Sequence, residues 1–420
     1  MGIYDYQWSR RKFLGSVAGT GALMALNPYL SWALENEDPK VAAIVAKTMG
    51  IDTHNHVDVP LNAAELPGPK ADLASELKKS GLSAICATFA VDYQKLVNPG
   101  DAYNRFITGL DAMDIMLKDN GMKRALNMAD LTAAKKAKQP IVIQSVEGCH
   151  FLEGDAGRVQ VAYDRGLRHL GLLHDNDASV PLGDVYTNDP KYGGLTKLGA
   201  DTIAECNRLG IVIDLAHASN DTIDMAFKVS KTPMFISHTG LSTQLGANPF
   251  MAKMMRPRLI SPEQAKKVAD AGGVIGVWTH LADTPAEFAK NMRAMVNAAG
   301  IEHVCIGTDT KITAPYRSPN DKWGGPGGSG GDKKPEGQPK EGDKPQGKPE
   351  GDKKDGGKPQ GGPGGKRVGE RTNEAWADQK TGFYYAVVDA LLKEKFTEEE
   401  IGKIGGGNFC RVFNDATKGH

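Results

Sequence analysis

The sequence has no excess of either charge: its 420 residues include 51 Lys and Arg and 51 Asp and Glu, which gives a formal net charge of zero. Such a chain lacks the positive field that draws proteins to nucleic acids or anionic membranes, and we expect neither as a partner. Long apolar runs are also scarce. The run at residues 13–26 is too short and too rich in glycine for a stable membrane span.

Cysteine is sparse as well, and no two cysteines form a Cys-x-x-Cys pair. The five cysteines stand at scattered positions: Cys86, Cys149, Cys206, Cys305 and Cys410. An odd number gives no closed disulfide framework, and a small apolar thiol is most often simply buried. The cysteines therefore say little about the compartment in which the protein works.

The first residues say more about the compartment. The sequence SRRKFL at residues 9–14 is close to a twin-arginine export pattern, and Ser-Trp-Ala at residues 31–33 offers a cleavage site between small residues. We therefore predict a signal peptide over residues 1–33 and export in the folded state to the periplasm or beyond. A short amphipathic helix or a basic patch is the alternative interpretation of the same residues.

Short apolar runs alternate with helical patterns along most of the chain. The predicted strands cover residues 50–52, 83–87, 141–143, 168–172, 211–215, 234–236, 273–277 and 303–307. The predicted helices cover residues 72–79, 102–119, 196–209, 219–229, 261–271, 285–298, 373–393 and 397–413. Strands that are apolar on both faces indicate a parallel sheet covered by helices. Eight of them favour a closed (β/α)₈ barrel of the TIM type over an open doubly wound α/β sheet.

Residues 322–366 have a different composition, rich in Gly, Pro, Lys, Asp, Glu and Gln with almost no apolar residue. Such a segment cannot bury enough surface to offset its chain entropy, so we expect it to be disordered. A collagen-like structure is excluded because glycine does not recur at every third position. The barrel domain is therefore predicted over residues 34–321 and 367–420, with this segment as an insertion after the eighth strand.

Residues that can bind a metal follow the predicted strands. His54 and His56 are two positions apart at the end of the first strand, so their side chains share one face of an extended backbone. Four more histidines and two acidic residues stand near the ends of other strands: His174, His217, His238, His280, Glu147 and Asp309. The carboxyl ends of barrel strands meet at one face, where imidazoles and a carboxylate together suit zinc.

Five segments at the strand ends resemble the membrane dipeptidase family of the amidohydrolase superfamily. They are residues 52–60, 146–148, 214–217, 236–238 and 306–309, and the stretches at 397–401 and 406–413 are similar to the family's closing helix. The segments occur in the family's order over nearly all of the predicted mature chain, apart from the insertion. The resemblance implies a metal-dependent hydrolase on a (β/α)₈ barrel.

The resemblance also implies a ligand set. Two zinc ions would be bridged by Glu147, with His54 and His56 on one ion and His217 and His238 on the other. A water or hydroxide between the metals would be the nucleophile, because zinc lowers the pKa of bound water toward about 7.

Three further functional positions of the family have matches in this sequence. Asp309 would orient the water and pass its proton to the leaving amine, and His174 would stabilise the oxyanion that forms from the carbonyl. Arg258 is the best match for the arginine that binds the substrate's carboxylate, and Arg256 is a close rival.

Two departures from the family's pattern affect this interpretation. The family usually has an aspartate where His56 stands, so the site loses one negative charge; His-x-His is nevertheless common elsewhere in the superfamily. After Asp309 the chain continues Thr310-Lys311-Ile312, where family members tend to have a further acidic residue and a glycine. The predicted substrate is therefore less secure than the predicted metal site.

The leading hypothesis is the hydrolysis of a dipeptide. The alternatives are a zinc hydrolase acting on another small amide or ester, and a dipeptidase-like maturation or binding protein without peptidase activity. The sequence fixes neither the stereochemistry of the substrate nor the oligomeric state, and it leaves a homodimer open.

Overall fold

The computed structural model describes residues 38–319 and 369–420. The predicted signal peptide (1–33) and the predicted insertion (322–366) both lie outside the described residues, and both stay predictions. The elements below belong to one compact unit, formed by residues 38–316 and 369–420 of the described chain.

Eight of the ten strands in the described residues run parallel and close into a barrel, which confirms the predicted fold. The strands in chain order are β1 (Ile51–His56), β2 (Ala84–Ala90), β3 (Ile141–Glu147), β4 (Leu167–Gly171), β5 (Val212–Asp214), β6 (Phe235–Leu241), β7 (Leu259–Ile260), β8 (Val274–Val277), β9 (Val304–Ile306) and β10 (Thr310–Lys311). The barrel order is β1-β2-β3-β4-β5-β6-β8-β9, and the register of Asp52 with Ile306 joins β9 to β1. The two-residue strands β7 and β10 pair at the outside, with β6 and β1.

Helices cover the outside of the barrel. They are α1 (Pro39–Lys47), α2 (Leu73–Ser80), α3 (Asp101–Asp119), α4 (Met128–Ala137), α5 (Arg158–Asp164), α6 (Lys197–Leu209), α7 (Asn220–Val229), α8 (Pro249–Met255), α9 (Pro262–Asp270), α10 (Pro285–Ala299), α11 (Phe383–Lys393), α12 (Glu398–Gly402) and α13 (Asn408–Thr417). The helix α9 has an N-terminal cap: the Ser261 side chain accepts a hydrogen bond from the backbone N–H of Gln264, and Pro262 opens the helix. Within the described part of the chain, no helix is both long and apolar enough to cross a membrane.

Two helix predictions near the end of the chain are wrong in their extent. The helix predicted over 373–393 begins only at Phe383, after a single turn at Thr372–Glu374 and an irregular stretch. The helix predicted over 397–413 is interrupted by a π-helical segment, Lys403–Gly407. The backbone packs closely against the rest of the protein in this segment. A Cβ atom on Gly405 would lie 2.1 Å from the Tyr384 hydroxyl, so no side chain fits there.

One end of the barrel is filled by α13. Phe409 packs edge-on against Phe235 at the start of β6, with 5.3 Å between ring centroids, and Phe413 is fully buried in the same cluster. The cluster also contains the first residues of several strands, among them Ile51 and Val274. This apolar plug closes the amino-terminal end of the barrel, so the polar residues at the other end alone are left to form a site.

The interior leaves no room for side chains at two positions. A Cβ on Gly276 or Gly307 would lie 1.8 or 1.7 Å from the backbone oxygen of Ser237. The same oxygen accepts a hydrogen bond from the Thr53 hydroxyl at 2.9 Å. The strands therefore approach closely beneath the carboxyl end of the barrel, which fixes the backbone from which the site residues project.

Candidate metal centre

The carboxyl ends of five barrel strands bring six predicted site residues together. His54 and His56 lie on β1, Glu147 ends β3, His217 follows β5, His238 lies on β6 and Asp309 follows β9. All of these side chains are buried except that of Asp309, which is half-buried. The structure thus places these six predicted residues together at one face of the barrel.

Glu147 lies at the centre of the cluster. Its Oε1 atom is 2.9 Å from His217 Nε2, 3.5 Å from His54 Nε2 and 3.7 Å from His238 Nε2. One carboxylate oxygen thus faces imidazole nitrogens from three different strands, at distances that a shared cation would bridge.

The second oxygen of Glu147 has no hydrogen-bond partner among the described residues, although it is fully buried. It lies 3.7 Å from His56 Nε2 and 3.4 Å from His174 Nε2. A buried anionic oxygen without a partner is costly in a protein interior, unless a bound cation satisfies it. The orphaned atom therefore fits a metal ligand.

The four candidate ligand histidines all turn Nε2 toward the centre. The Nε2 atoms of His217 and His238 are 3.1 Å apart, and those of His54 and His56 are 3.3 Å apart. The opposite nitrogens of His54 and His238 both contact the Ser237 hydroxyl, at 3.2 and 2.9 Å. A ligand histidine is oriented in this way, with Nδ1 held by an outer partner and Nε2 left for the metal.

The electrostatics match the same arrangement. Burial lowers the pKa of His54 well below its ordinary value and lowers that of His238 to about 4, so both imidazoles favour the neutral form, which carries the lone pair that a metal needs. Burial raises the pKa of Glu147, but the charge of His174 and the hydrogen bond to His217 outweigh burial and hold that pKa well below its ordinary value.

His56 and His217 differ from these two histidines. Burial lowers their pKa values, but the hydrogen bond of His56 to Asp309 and those of His217 to Asp175 and Glu147 outweigh burial and raise both pKa values. These two imidazoles would therefore release a proton when a metal binds. Imidazole nitrogens around an ionised carboxylate suit zinc.

Potential ligand atoms lie within 4.8 Å of one another in three groups of the described residues, of which the first and third share His54: His54, His56 and Asp309; Glu147, His174 and His217; and His54, Asp214 and His238. The residues present therefore fit divalent metal ions. The candidate ligand His56, which departs from the family's pattern, lies in the cluster with its Nε2 atom directed inward.

Two of the site residues have left-handed backbone conformations, which are uncommon for residues other than glycine. The φ angles are 66° at His217 and 57° at Asp309. Such conformations cost about 1–3 kcal/mol each and persist only where the surroundings enforce them. Asp214 does so for His217, because its Oδ1 accepts hydrogen bonds from the backbone N–H groups of Ala216 and Ser237.

Asp52 helps to enforce the left-handed backbone conformation at Asp309. Its carboxylate accepts hydrogen bonds from the backbone and the hydroxyl of Thr308, at 2.8 and 2.6 Å, and from the Asn55 side chain at 2.8 Å. Burial raises the pKa of Asp52 to about 6. The carboxylate thereby ties the end of β1 to the loop that carries Asp309.

Asp309 lies between two histidines. Its Oδ1 is 3.1 Å from His56 Nε2, and its Oδ2 is 2.8 Å from His280 Nε2. Burial raises the pKa of Asp309, but the hydrogen bonds with His280 and His56 hold it well below its ordinary value. His280, which sequence analysis noted only for its position after a strand, thus contacts the predicted proton carrier.

His174 is held in the site by a buried carboxylate. Its Nδ1 atom is 2.7 Å from Asp92, and Asn176 donates a hydrogen bond to the same carboxylate at 2.9 Å. Burial lowers the pKa of His174, but the charges of Glu147 and Asp92 outweigh it and raise the pKa to about 10. The imidazole is therefore a cation with Nε2–H directed into the site, which suits the stabilisation of a developing oxyanion.

The two candidate arginines differ in position. Arg258 is half-buried and its guanidinium donates a hydrogen bond to Asp175, which in turn lies 2.9 Å from His217 Nδ1. Arg256, two residues earlier in the same short turn, is exposed. The structure therefore places Arg258, and not Arg256, beside a residue that contacts His217.

Several residues that contact the site were missed by sequence reasoning. Asp92 and Tyr93 follow the end of β2, and Asp175 follows His174 directly. The Tyr93 hydroxyl lies 3.2 Å from His56 Nδ1. Their position just past strand ends is the signal that could have identified them, because loops at that end of a barrel carry functional groups.

Comparison with known proteins relates this chain to a family of metal-dependent peptidases. Residues 39–315 match the family model described as membrane dipeptidase (Peptidase family M19). A dipeptidase of Clonostachys rogersoniana is 28% identical over 171 residues. That match spans 39% of this chain and 41% of the relative, so it covers about two fifths of the curated protein.

Two solved structures have the same fold. An amidohydrolase from Pseudomonas aeruginosa superposes with a TM-score of 0.64 at 20% identity, over 90% of this chain and 98% of that one. A metallopeptidase from Rhodobacter sphaeroides, liganded with a phosphinate mimic of the dipeptide L-Ala-D-Ala, gives 0.59 at 15% identity, over 88% and 99%. Because the family model covers most of the described barrel and includes every metal-site residue named above, the chain belongs to the membrane dipeptidase family, peptidase family M19.

Proposed function

We propose that this protein is a zinc-dependent dipeptidase that hydrolyses the amide bond of dipeptides with a free carboxylate. The observation that carries the proposal is the buried Glu147 carboxylate: its Oε2 has no hydrogen-bond partner among the described residues, and four histidine Nε2 atoms lie within 3.7 Å of its two oxygens. The dipeptide mimic bound by the Rhodobacter sphaeroides relative supports the substrate class.

The metal ligands would divide into two sets that share Glu147. His54 and His56 would hold one zinc ion, and His217 and His238 the other. When bound, zinc supplies Lewis acidity that polarises a carbonyl and lowers the pKa of water toward neutrality.

The remaining chemistry belongs to side chains of this chain. Arg258 binds the carboxylate of the substrate, because a guanidinium matches a carboxylate with paired hydrogen bonds. His174 donates its Nε2–H to the carbonyl oxygen as that oxygen gains negative charge. Asp309 accepts a proton from the attacking water and returns it to the amine as the C–N bond breaks, so that one water is consumed for each amide cleaved.

Removal of the metal should abolish the reaction. We expect purified protein to contain about two zinc ions per chain, to hydrolyse unblocked dipeptides, and to lose that activity on chelation and regain it with added zinc, because the ligands bind metal reversibly. Elemental analysis measures the zinc content, and an assay of released amino acids measures the activity. A dipeptide whose carboxylate is amidated is the matched control substrate, and it should react far more slowly.

The same assay separates the alternative functions. Turnover of other small amides or esters, without any dipeptide hydrolysis, would replace the proposed substrate but keep the zinc site. Bound zinc without turnover of any of these substrates would favour the maturation or binding protein.

We also propose that the enzyme is exported in the folded state by the twin-arginine route, because SRRKFL at residues 9–14 has the required arginine pair. A variant with both Arg10→Lys and Arg11→Lys should leave the full-length precursor in the cytoplasm, as measured by fractionation and immunoblotting. Lys12→Gln, which keeps the pair, is the control. Normal export of the double variant would rule out this route.

A further inference from the structure

Asp175 contacts both the candidate substrate arginine and a candidate metal ligand. It immediately follows His174, in the loop after β4, and its side chain is 30% exposed. We propose that Asp175 is a positioning residue that uses one oxygen to hold Arg258 for the substrate's carboxylate and the other to hold His217 for zinc. The proposal rests on the dipeptidase function proposed above.

The first oxygen is engaged with Arg258. Asp175 Oδ2 accepts a hydrogen bond from Nη2 of Arg258, and among the described residues no other hydrogen-bond acceptor of this guanidinium is present. A guanidinium has five N–H donors in a planar fork, so a single bond to Asp175 leaves most of them for a ligand. Because a free arginine side chain loses conformational entropy when it binds, an arginine anchored beforehand binds a carboxylate more tightly.

The second oxygen is engaged with His217. Asp175 Oδ1 lies 2.9 Å from His217 Nδ1, on the side of the ring opposite the nitrogen that faces Glu147. An acceptor at Nδ1 fixes the proton there and leaves Nε2 with the lone pair for the metal. Tyr186 shares this contact: its hydroxyl lies 2.9 Å from His217 Nδ1 and donates to Asp175 Oδ1 at 3.2 Å, and its ring stacks on His217 with 5.2 Å between centroids.

The separation of the two contacts makes them experimentally distinguishable. Asparagine at position 175 keeps a carbonyl oxygen that can accept from His217, but it presents an amide N–H₂ toward Arg258, where two donors face each other. Alanine removes both contacts. The two substitutions should therefore differ in metal binding but agree in the loss of carboxylate recognition.

The experiment compares the wild type with Asp175→Asn, Asp175→Ala and Asp177→Asn. Asp177 is the matched control, because it lies in the same loop and pairs with the surface residue Lys191. Zinc affinity is measured by competition with a chelator. Carboxylate recognition is measured calorimetrically, as the ratio of affinities for a phosphinate dipeptide mimic and for the same mimic with its carboxylate amidated.

We expect Asp175→Asn to bind zinc like the wild type and to lose about 10- to 100-fold of the preference for the carboxylate form. Asp175→Ala should lose that preference and also bind zinc about 10- to 100-fold more weakly, as is typical when an outer partner of a ligand histidine is removed. Asp177→Asn should match the wild type in both measurements.

An unchanged carboxylate preference in Asp175→Asn, or unchanged zinc affinity in Asp175→Ala, would overturn the corresponding half of the proposal. Failure of the proposed function has a different signature, because it appears in the wild type itself. A wild-type protein that binds zinc but does not prefer the carboxylate form would overturn the assignment of Arg258, and with it the arginine half of the Asp175 proposal.

Discussion

Glutamine in place of Glu147 should remove both zinc ions and lower dipeptide hydrolysis by at least about 10³-fold. An amide carries no charge and offers one acceptor oxygen, while its N–H₂ group would point at an imidazole nitrogen that the metal requires. Lewis-acid stabilisation by a metal is worth several kcal/mol, and each 1.36 kcal/mol is a factor of about ten in rate.

Elemental analysis of the purified variant, together with the dipeptide assay, tests this expectation. Glu205→Gln is the control, because it removes a carboxylate from a solvent-facing ion pair with Arg208 on α6 and leaves the metal centre intact. If the Glu147→Gln variant bound two zinc ions with wild-type affinity, Glu147 would not be the bridging ligand.

Asparagine in place of Asp309 should lower kcat by about 10²- to 10⁴-fold, the usual contribution of a general acid and base, while the zinc content stays near two per chain. The amide cannot accept the proton of the attacking water, but the five proposed metal ligands all remain. The amide oxygen can still accept a hydrogen bond from His280, so we expect the loop to keep its conformation.

The comparison for this variant is Asp270→Asn, which breaks only an exposed pair with Lys266 on α9. Steady-state kinetics give kcat and KM, and elemental analysis gives the zinc content. A kcat close to that of the wild type would remove Asp309 from proton transfer. Loss of a zinc ion would instead identify Asp309 as a ligand.

The strands were predictable because each is a short apolar run between a helix and a turn, but their ends were less so. The fifth strand was predicted over residues 211–215, whereas β5 is Val212–Asp214. The ladder stops there because the Asp214 side chain takes the Ala216 and Ser237 N–H groups that a longer strand would present to its neighbour. A side chain that replaces a backbone partner leaves no mark on hydrophobic periodicity.

The residues of the site were likewise predictable only in part. His54, Glu147 and His238 were predictable because each lies on or directly after an apolar run, and parallel strands bring such positions together. The contact of Asp92 with His174 joins residues that are 82 positions apart through two loops, and the sequence has no periodic pattern from which that distance follows. The candidate metal ligands on strands can therefore be recognised in the sequence, whereas the residues that orient them are positioned by tertiary packing.

The apolar plug formed by α13 has a consequence for the order of synthesis. The strands that carry His54 and Glu147 leave the ribosome long before Phe409 and Phe413, which fill the amino-terminal end of the barrel. Until those two aromatic side chains are available, the first residues of the strands face water and the barrel cannot complete its interior. The candidate metal centre at the opposite end thus acquires its rigid support only when α13 docks, and we expect metal to bind tightly only after that step.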